Sequence, residues 1–456
     1  MAGPMLIRNA EIYRHGLADL RIADGRIAAI GALRPMAGET VVEAAGGALL
    51  PGLHDHHIHL CALAARRGSV FCGPPEVTDL TALGIRLSVT GTGWLRGIGY
   101  HESVGGMLDR AMLDRMAPDR PVRIQHRSGR MWFFNSAGLD AILSVAEAPP
   151  GLERETGRLF DQDRWLRGIL GGSPPDLAAI SAELARMGVT GITDMTPAND
   201  PAMAEHFRDQ QGEGRLRQHC LMAGTLDLAR ARETPWLAIG PAKLHLHEAD
   251  LPDYDEAVAF IAEAHRQERA VAIHCVSETE LVFALAALEE AGLHAGDRIE
   301  HASVAPDPLV SEIARLGLIV VSQPHFIAER GDEYRASVEP DAVPFLYRLQ
   351  AFGTAGVPLA GGSDAPFGQP DPWAAMRAAV MRRTPDGHVM GAEEALSPEE
   401  ALALFLADPV DLRRQRDIAT GAAADLCLLD RPWTDARSRL SAEDVRATWV
   451  CGMIVA

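Results

Sequence analysis

From about residue 178 onward, two hydrophobic rhythms alternate along the chain. "DLAAISAELARMG" carries apolar residues at the spacing of one helix face, and "VTGITD" follows as a short β-branched run. The pairing recurs as "DEAVAFIAEAHRQ" then "AVAIHC", "ETELVFALAALEEAG" then "RIEH", and "DPLVSEIARLG" then "LIVVSQ", with "VPLAGGSD" as a further strand. The helix of "ETELVFALAALEEAG" ends at Gly292, where a left-handed cap fits. A last helix, "SPEEALALFLADP", opens on a capping box of Ser397 and Glu400 with Pro398 in its first turn. Strands that read as continuous apolar runs, each separated by a helix, imply a parallel sheet covered on both faces. At least six such units favour an α/β fold of the (β/α)8 TIM-barrel type over an open sheet.

The two ends have a different texture. "MLIRNAEIY", "ADLRIADGRIAAIG" and "TVVEAAGGALLPG" are short alternating strands with Gly turns, and "GAAADLCLLD" and "VRATWVCGMIV" match them at the far end. The simplest organisation is a small β-sandwich built from both termini, residues 1–51 and 418–456, with the barrel at 52–417 inserted between them. Residues 62–170 show no strand–helix rhythm and are expected to form loops and helices over one end of the barrel.

Composition narrows the function. The 456 residues are 47% hydrophobic and 23% charged, the balance of a soluble protein with a large core. A formal charge of −19 argues against a nucleic-acid partner, because binding phosphates needs clustered Lys and Arg. No apolar run approaches the ~20 residues that span a bilayer. The start "MAGPMLIRNAEIY" lacks the basic and apolar stretches of a secretory signal. The six scattered cysteines form no Cys-x-x-Cys pair and read as free thiols, so a cytoplasmic location is expected.

The chemistry concentrates in "LLPGLHDHHIHL". The 17 histidines give roughly 0.6 His-x-His pairs by chance. Three occur, at 54/56, 57/59 and 245/247. Strand side chains alternate, and the outward face of a barrel strand packs under helices. Pointing His57 and His59 inward sends Ile58 and Leu60 outward, so that pair is the better metal candidate; His54 and His56 then read as ordinary hydrogen-bonded histidines. His274 ends "AVAIH", His301 ends "RIEH", and Asp364 follows "VPLAGGS". In a (β/α)8 barrel such strand ends converge at the C-terminal rim, where active sites are built. Singly, each has a plain structural reading as a satisfied core histidine or a turn cap. Together, imidazoles and a carboxylate suit Zn²⁺ or a similar divalent ion with one position left for water. Lys243, in "GPAKLHLHE", shares a face with His245 and His247. A lysine inside a barrel either meets a carboxylate or solvent, or loses its charge and can add carbon dioxide to become a carbamate bridging two metals.

These pieces, in this order, resemble the amidohydrolase superfamily, in particular the YtcJ-like group that includes N-substituted formamide deformylases. "LLPGLHDHHIHL" is similar to the first-strand motif, "AKLHLH" to the fourth strand with its lysine, and "AIHCVSE", "RIEHASV" and "GGSDAPF" to strands five, six and eight. "DIATGAAADLCLLD" resembles the return to the β-domain, and "LDRAMLDRMAPDRPV" and "FFNSAGL" this group's inserted region. The resemblance implies one or two divalent ions, usually zinc. His57, His59 and Asp364 would hold the buried one, and His274 and His301 a second, with Lys243 as the bridge where it is carbamylated. Two positions depart from the group: His247 stands where an aspartate is frequent, and Arg130 where a histidine is common.

The expected activity is hydrolysis of a non-peptide carbon–nitrogen (amide) bond in a small molecule, by attack of a metal-bound hydroxide with Asp364 as general base and acid. A deaminase, or a hydrolase of cyclic amides or esters, is the alternative on the same scaffold; a non-catalytic barrel is a further one. Glu278 lies four residues after His274 rather than the three usual in deaminases, which disfavours deamination. His101, Trp132, His325, Phe326 and Trp373 are candidates to line the substrate pocket. Homo-oligomerisation is left open.

Overall fold

A computed structural model of the chain describes residues 3–74, 76–91, 93–170 and 174–456. It divides into two compact units, one running through Leu60 and resuming at Asp176, the other spanning Cys61–Pro175.

The first unit contains the parallel sheet that the alternating rhythm predicts. Its eight strands are Leu53–Ile58, Val189–Asp194, His219–Gly224, Leu237–His245, Val271–Cys275, Arg298–His301, Ile319–Ser322 and Leu359–Gly361, each hydrogen-bonded in parallel to the next. They are numbered here one to eight. The last meets the first beyond its own end. Ile58 pairs with Ala365, the Asp364 N–H donates to the His57 carbonyl at 2.6 Å, and the His59 N–H donates to the Ala365 carbonyl at 2.8 Å. The buried Asp55 carboxylate reinforces this seam, accepting from the Ser363 N–H at 2.9 Å and the Ser363 hydroxyl at 2.5 Å.

Strand alternation sorts the side chains. Ala242, Val271, Ile273, Cys275, Ile299 and Val320 point outward into one core with Ile261, Leu281, Leu288 and Ile313 of the covering helices. Met195, Ala223 and Ala272 pack together in a separate small cluster. The covering helices begin where the sequence says they should. Ser277 with Glu280 and Ser397 with Glu400 form reciprocal capping boxes, satisfying amide groups the first turn leaves open. Gly292 takes the positive φ expected at its helix end, +86°, but its ψ of 146° turns the chain into an extended path rather than a left-handed helical cap.

The strands of the two termini come together, as expected, around a core of Ile7, Ile12, Leu20, Leu49, Leu426 and Trp449. They form one hydrogen-bonded mixed sheet of eight strands, where a two-layered sandwich was anticipated. Met5–Ile12 is where this sheet forks. The first half of that strand pairs with Thr40–Glu43, and its end pairs on with Ala48–Pro51. Ala48–Pro51 then pairs with Leu426–Leu429 from the other end of the chain.

The second unit corrects the expectation of loops and helices. It carries its own six-stranded sheet, built from Val70–Phe71, Leu95–Tyr100, Val122–His126, Met131–Phe134, Leu152–Glu153 and Arg158–Phe160, with two core clusters of its own. No helix among the described residues is long and apolar enough to cross a membrane.

Asn135 organises this unit. Fully buried, its side chain accepts from the amides of Val122 and Gly138, capping the helix Ser136–Leu143, and donates to the carbonyls of Ala117 and Arg120. Asn135→Ala strands several buried backbone groups at once, and should lower stability by about 3 kcal/mol. Chemical denaturation of the two proteins side by side would read this as a lowered midpoint; an unchanged midpoint would contradict the assignment.

Candidate metal centre

The C-terminal ends of the strands gather the histidines. His57 is the penultimate residue of strand one and His59 the residue after it. Their ring centroids lie 5.3 Å apart, and His57 is 4.8 Å from the ring of His301. His274 of strand five stands 4.4 Å from His301 and 4.2 Å from His245. Asp364 lies 3.4 Å from His57 Nε2 and 3.1 Å from His59 Nε2. His57, His301 and Asp364 each offer a ligand atom within 4.8 Å of the others. Arg298 and Glu300, two apart, face the interior of the barrel while Ile299 packs outward. Strict alternation would therefore turn His301 away. Its φ of +70°, followed by +46° at Ala302, breaks the strand there and swings the imidazole back towards the mouth. Asp364 is likewise left-handed, at φ +50°. Each such residue costs about 1 kcal/mol or more, and strain of this kind persists where surrounding structure imposes it.

The electrostatics of this group demand a cation. His57 Nδ1 is 2.5 Å from Glu300 Oε2, and Glu300 Oε1 is 2.6 Å from Arg298 Nε. The guanidinium lies against this carboxylate, which accepts a hydrogen bond from His57 Nδ1. Burial, then the nearby Lys243, holds the His57 imidazole well below its ordinary pKa. It is neutral, and its Nε2 lone pair points at a carboxylate oxygen. His301 repeats the arrangement. Its Nδ1 donates to Gln323 Oε1 at 2.7 Å, and its buried Nε2 has no partner. Burial lowers its pKa, and lowers that of His274. Burial also pushes the Lys243 amine down to about 8 against the pull of Glu300, and its buried Nζ has no hydrogen-bond partner. For Asp364, burial works towards a higher pKa, but the hydrogen bond with His59 and the nearness of His57 and His301 outweigh it, so the carboxyl is held well below the usual range. His301 Nε2 and Lys243 Nζ are buried without partners close to His57 Nε2 and the Asp364 carboxylate, donors that a divalent ion would satisfy. These residues fit a divalent ion.

The sequence pattern of the amidohydrolase family matches residues 40–456. The chain belongs to that family. The N-substituted formamide deformylase of Arthrobacter pascens is 25% identical over an alignment covering 95% of this chain and 94% of that protein. The putative amidohydrolase YtcJ of Bacillus subtilis strain 168 is 24% identical, covering 90% and 89%. Among solved structures, an uncharacterized metal-dependent hydrolase from Pyrococcus furiosus superposes with a TM-score of 0.78 at 23% identity, covering 94% of this chain and 99% of that one. A second, from Pyrococcus horikoshii, gives 0.79 at 21% identity, covering 94% and 98%. The last two likenesses speak to the fold. Membership makes the chain a metal-dependent hydrolase of carbon–nitrogen bonds.

Within this family member one of the two outer histidines differs from expectation. His54 Nε2 meets Thr193 Oγ1 at 2.9 Å, as an ordinary core histidine should, but His56 is buried with neither ring nitrogen hydrogen-bonded. Of the expected pocket residues, Trp373 is fully buried and donates its indole N–H to the Met187 carbonyl, just before strand two begins, at the end of the barrel opposite the mouth. It is core. Trp132 likewise belongs to the core of the second unit, with Phe134, Leu139 and Leu159. Phe326 packs against Tyr347. His325 is buried, its Nε2 2.9 Å from the carbonyl of Ser363, so it braces the turn that carries Asp364. His101, in the second unit, caps a short helical turn by accepting from the Ser103 amide. His247 does the same for Ala249, and Arg130 pairs through two hydrogen bonds with Asp161.

Glu300, Arg298, Gln323 and Asp55 were not singled out from the sequence as site residues. The signal for Glu300 was its adjacency to His301 on a strand whose neighbours carry ligands: a carboxylate there, facing inward, needs a partner inside the barrel.

Glu300→Gln removes the charge that orients His57 and leaves Arg298 buried without compensation. Metal affinity, measured by competition with a coloured chelator, should fall roughly 10–100-fold. Affinity equal to the parent protein would show that Glu300 does not govern His57.

Proposed function

We propose that this chain hydrolyses small-molecule amides, with N-substituted formamides the first class to test, using one or two zinc ions at the barrel mouth. The observation that carries the reading is the convergence of the unpartnered His301 Nε2, the His57 and His59 Nε2 atoms and the unpartnered buried Lys243 amine around an ionised Asp364. His57, His59 and Asp364 would hold one ion, His274 and His301 a second, and Lys243, as a carbamate, would join them. Lowering of the lysine pKa by burial supports that last role, because only the neutral amine adds carbon dioxide. When bound, a divalent ion acidifies water and polarises a carbonyl oxygen.

The chain's own residues supply the proton traffic. Asp364 accepts a proton from the attacking water at a carboxylate oxygen and passes it to the departing nitrogen. Its low pKa keeps it ionised before the reaction, as a base must be. The seam hydrogen bonds from Asp364 to His57 and from His325 to Ser363 fix its position. Glu300 and Gln323 hold the imidazoles in the tautomer that presents Nε2.

Asp364→Asn should lower turnover of a formamide substrate by roughly 10²–10⁴-fold while most of the metal stays bound. Steady-state assays with parallel metal analysis check this, and undiminished turnover would rule the role out. Lys243→Ala should reduce the metal content, with partial rescue by short carboxylic acids. A full complement of metal in that variant would remove the lysine as a bridge.

A further inference from the structure

At the base of the barrel, away from the mouth, three more ligand-type side chains converge. His219 opens strand three. Asp425 directly precedes the strand Leu426–Leu429 of the terminal sheet, and Cys451 lies in the turn between Val445–Val450 and Met453–Ile454. Both Asp425 Oδ2, at 3.3 Å, and Cys451 Sγ, at 3.5 Å, approach the same nitrogen, His219 Nε2. All three ligand atoms lie within 4.8 Å of one another. As a hydrogen-bonded pair the arrangement is a bifurcated one, with an N···O branch longer than the usual range. The two separations are, however, the edges of a metal tetrahedron. With the usual zinc bond lengths to sulfur, nitrogen and oxygen, the nitrogen–oxygen edge is about 3.3 Å and the nitrogen–sulfur edge about 3.5 Å.

The surroundings hold the ligands ready. The Cys451 N–H donates to Asp425 Oδ1 at 2.7 Å, aiming the other carboxylate oxygen at the imidazole. Trp236 stacks on the His219 ring at 4.7 Å and 11°, fixing its plane. Cys451 takes φ +45° in a tight hairpin turn, a place that suits Gly, Asn or Asp, so its side chain is presented at a backbone cost. The His219 side chain is 30% exposed and that of Asp425 17%, enough for an ion to enter and for water to complete the tetrahedron.

We propose that His219, Asp425 and Cys451 form a second metal site, distinct from the barrel mouth, for a thiophilic divalent ion, zinc by its donor set. Binding releases the Sγ proton and the His219 Nε2 proton to solvent as the sulfur–metal and nitrogen–metal bonds form. The ion joins the start of a barrel strand to two separate segments of the terminal sheet, so it clamps the two together.

Cobalt(II) distinguishes this site from the mouth, where the assigned donors are nitrogen and oxygen. The full-length protein, stripped of metal and titrated with Co²⁺, should develop the near-ultraviolet absorbance of thiolate-to-cobalt charge transfer, with a final amplitude of about one cobalt–thiolate bond per chain. Cys451→Ser should lack the band. In the unmodified protein, zinc should slow alkylation of Cys451 by iodoacetamide, followed by peptide mass spectrometry, roughly tenfold or more. No charge-transfer band in the parent protein, a band undiminished in Cys451→Ser, or alkylation indifferent to zinc would each overturn the proposal. The last result would leave a hydrogen-bonded cysteine and histidine in its place.

Discussion

The short contact between Glu300 and His57 decides how the barrel mouth is charged. Arg298, itself buried, lies against Glu300, and that carboxylate accepts a hydrogen bond from His57 Nδ1. A neutral imidazole with that proton fixed can present only a lone pair at Nε2, and there the nearest group is another lone pair, on Asp364. Gln323 imposes the same choice on His301. Hydrogen bonds on the far side of each ring thus turn Nε2 towards the mouth. The imidazoles are oriented for a cation before any cation arrives, and the Asp364 carboxylate among them offsets part of the cost of burying its charge.

Barrel closure and ligand placement are the same event. The amide of Asp364 closes the seam on the carbonyl of His57, so two candidate ligand residues from opposite ends of the barrel's sequence are joined through their backbones. Asp55 adds a second tie to Ser363 from inside, and burial pushes its pKa up to about 6 despite the hydrogen bonds it accepts. Gly362 is required at this seam, since a Cβ there would sit 2.4 Å from that of His57. The left-handed backbone at His301, Ala302 and Asp364 is the local cost of ending strands abruptly enough to turn side chains across the mouth.

What could be read in advance follows from this. His57, His59, Lys243 and His274 obey the two-residue period of their strands, so face and depth were legible from text. His301 lies at the end of its strand, which placed it at the rim, but the period alone would have pointed it outward next to Glu300. Glu300 and Gln323 act on rings contributed by other strands, a relation that no local pattern encodes. The sheet of the second unit escaped notice because its strands are short and interrupted by glycines, as in "LRGIGY", and carry arginines where apolar residues were sought, as in "VRIQH". Trp132 and Trp373 were offered as pocket residues on aromatic character alone; large rings fill cores at least as readily as they line sites.

The other carboxylates near the mouth are held in structural roles, which narrows the choice of proton carrier. Asp194, ending strand two, accepts from the Leu60 and Thr196 amides and from Asn199. Glu280 accepts from the amides of Val276, Ser277 and Glu248. Glu278, the residue nearest in sequence to a deaminase acid, is exposed at the start of its helix. Glu300 is bound between Arg298 and His57 and cannot take a proton without releasing both. Under the proposed mechanism, the transfer of a proton from water to a leaving nitrogen is left, among these groups, to Asp364. Its contacts are with imidazole nitrogens that a metal would occupy, so metal binding would free the carboxylate from them and leave an oxygen to act as base.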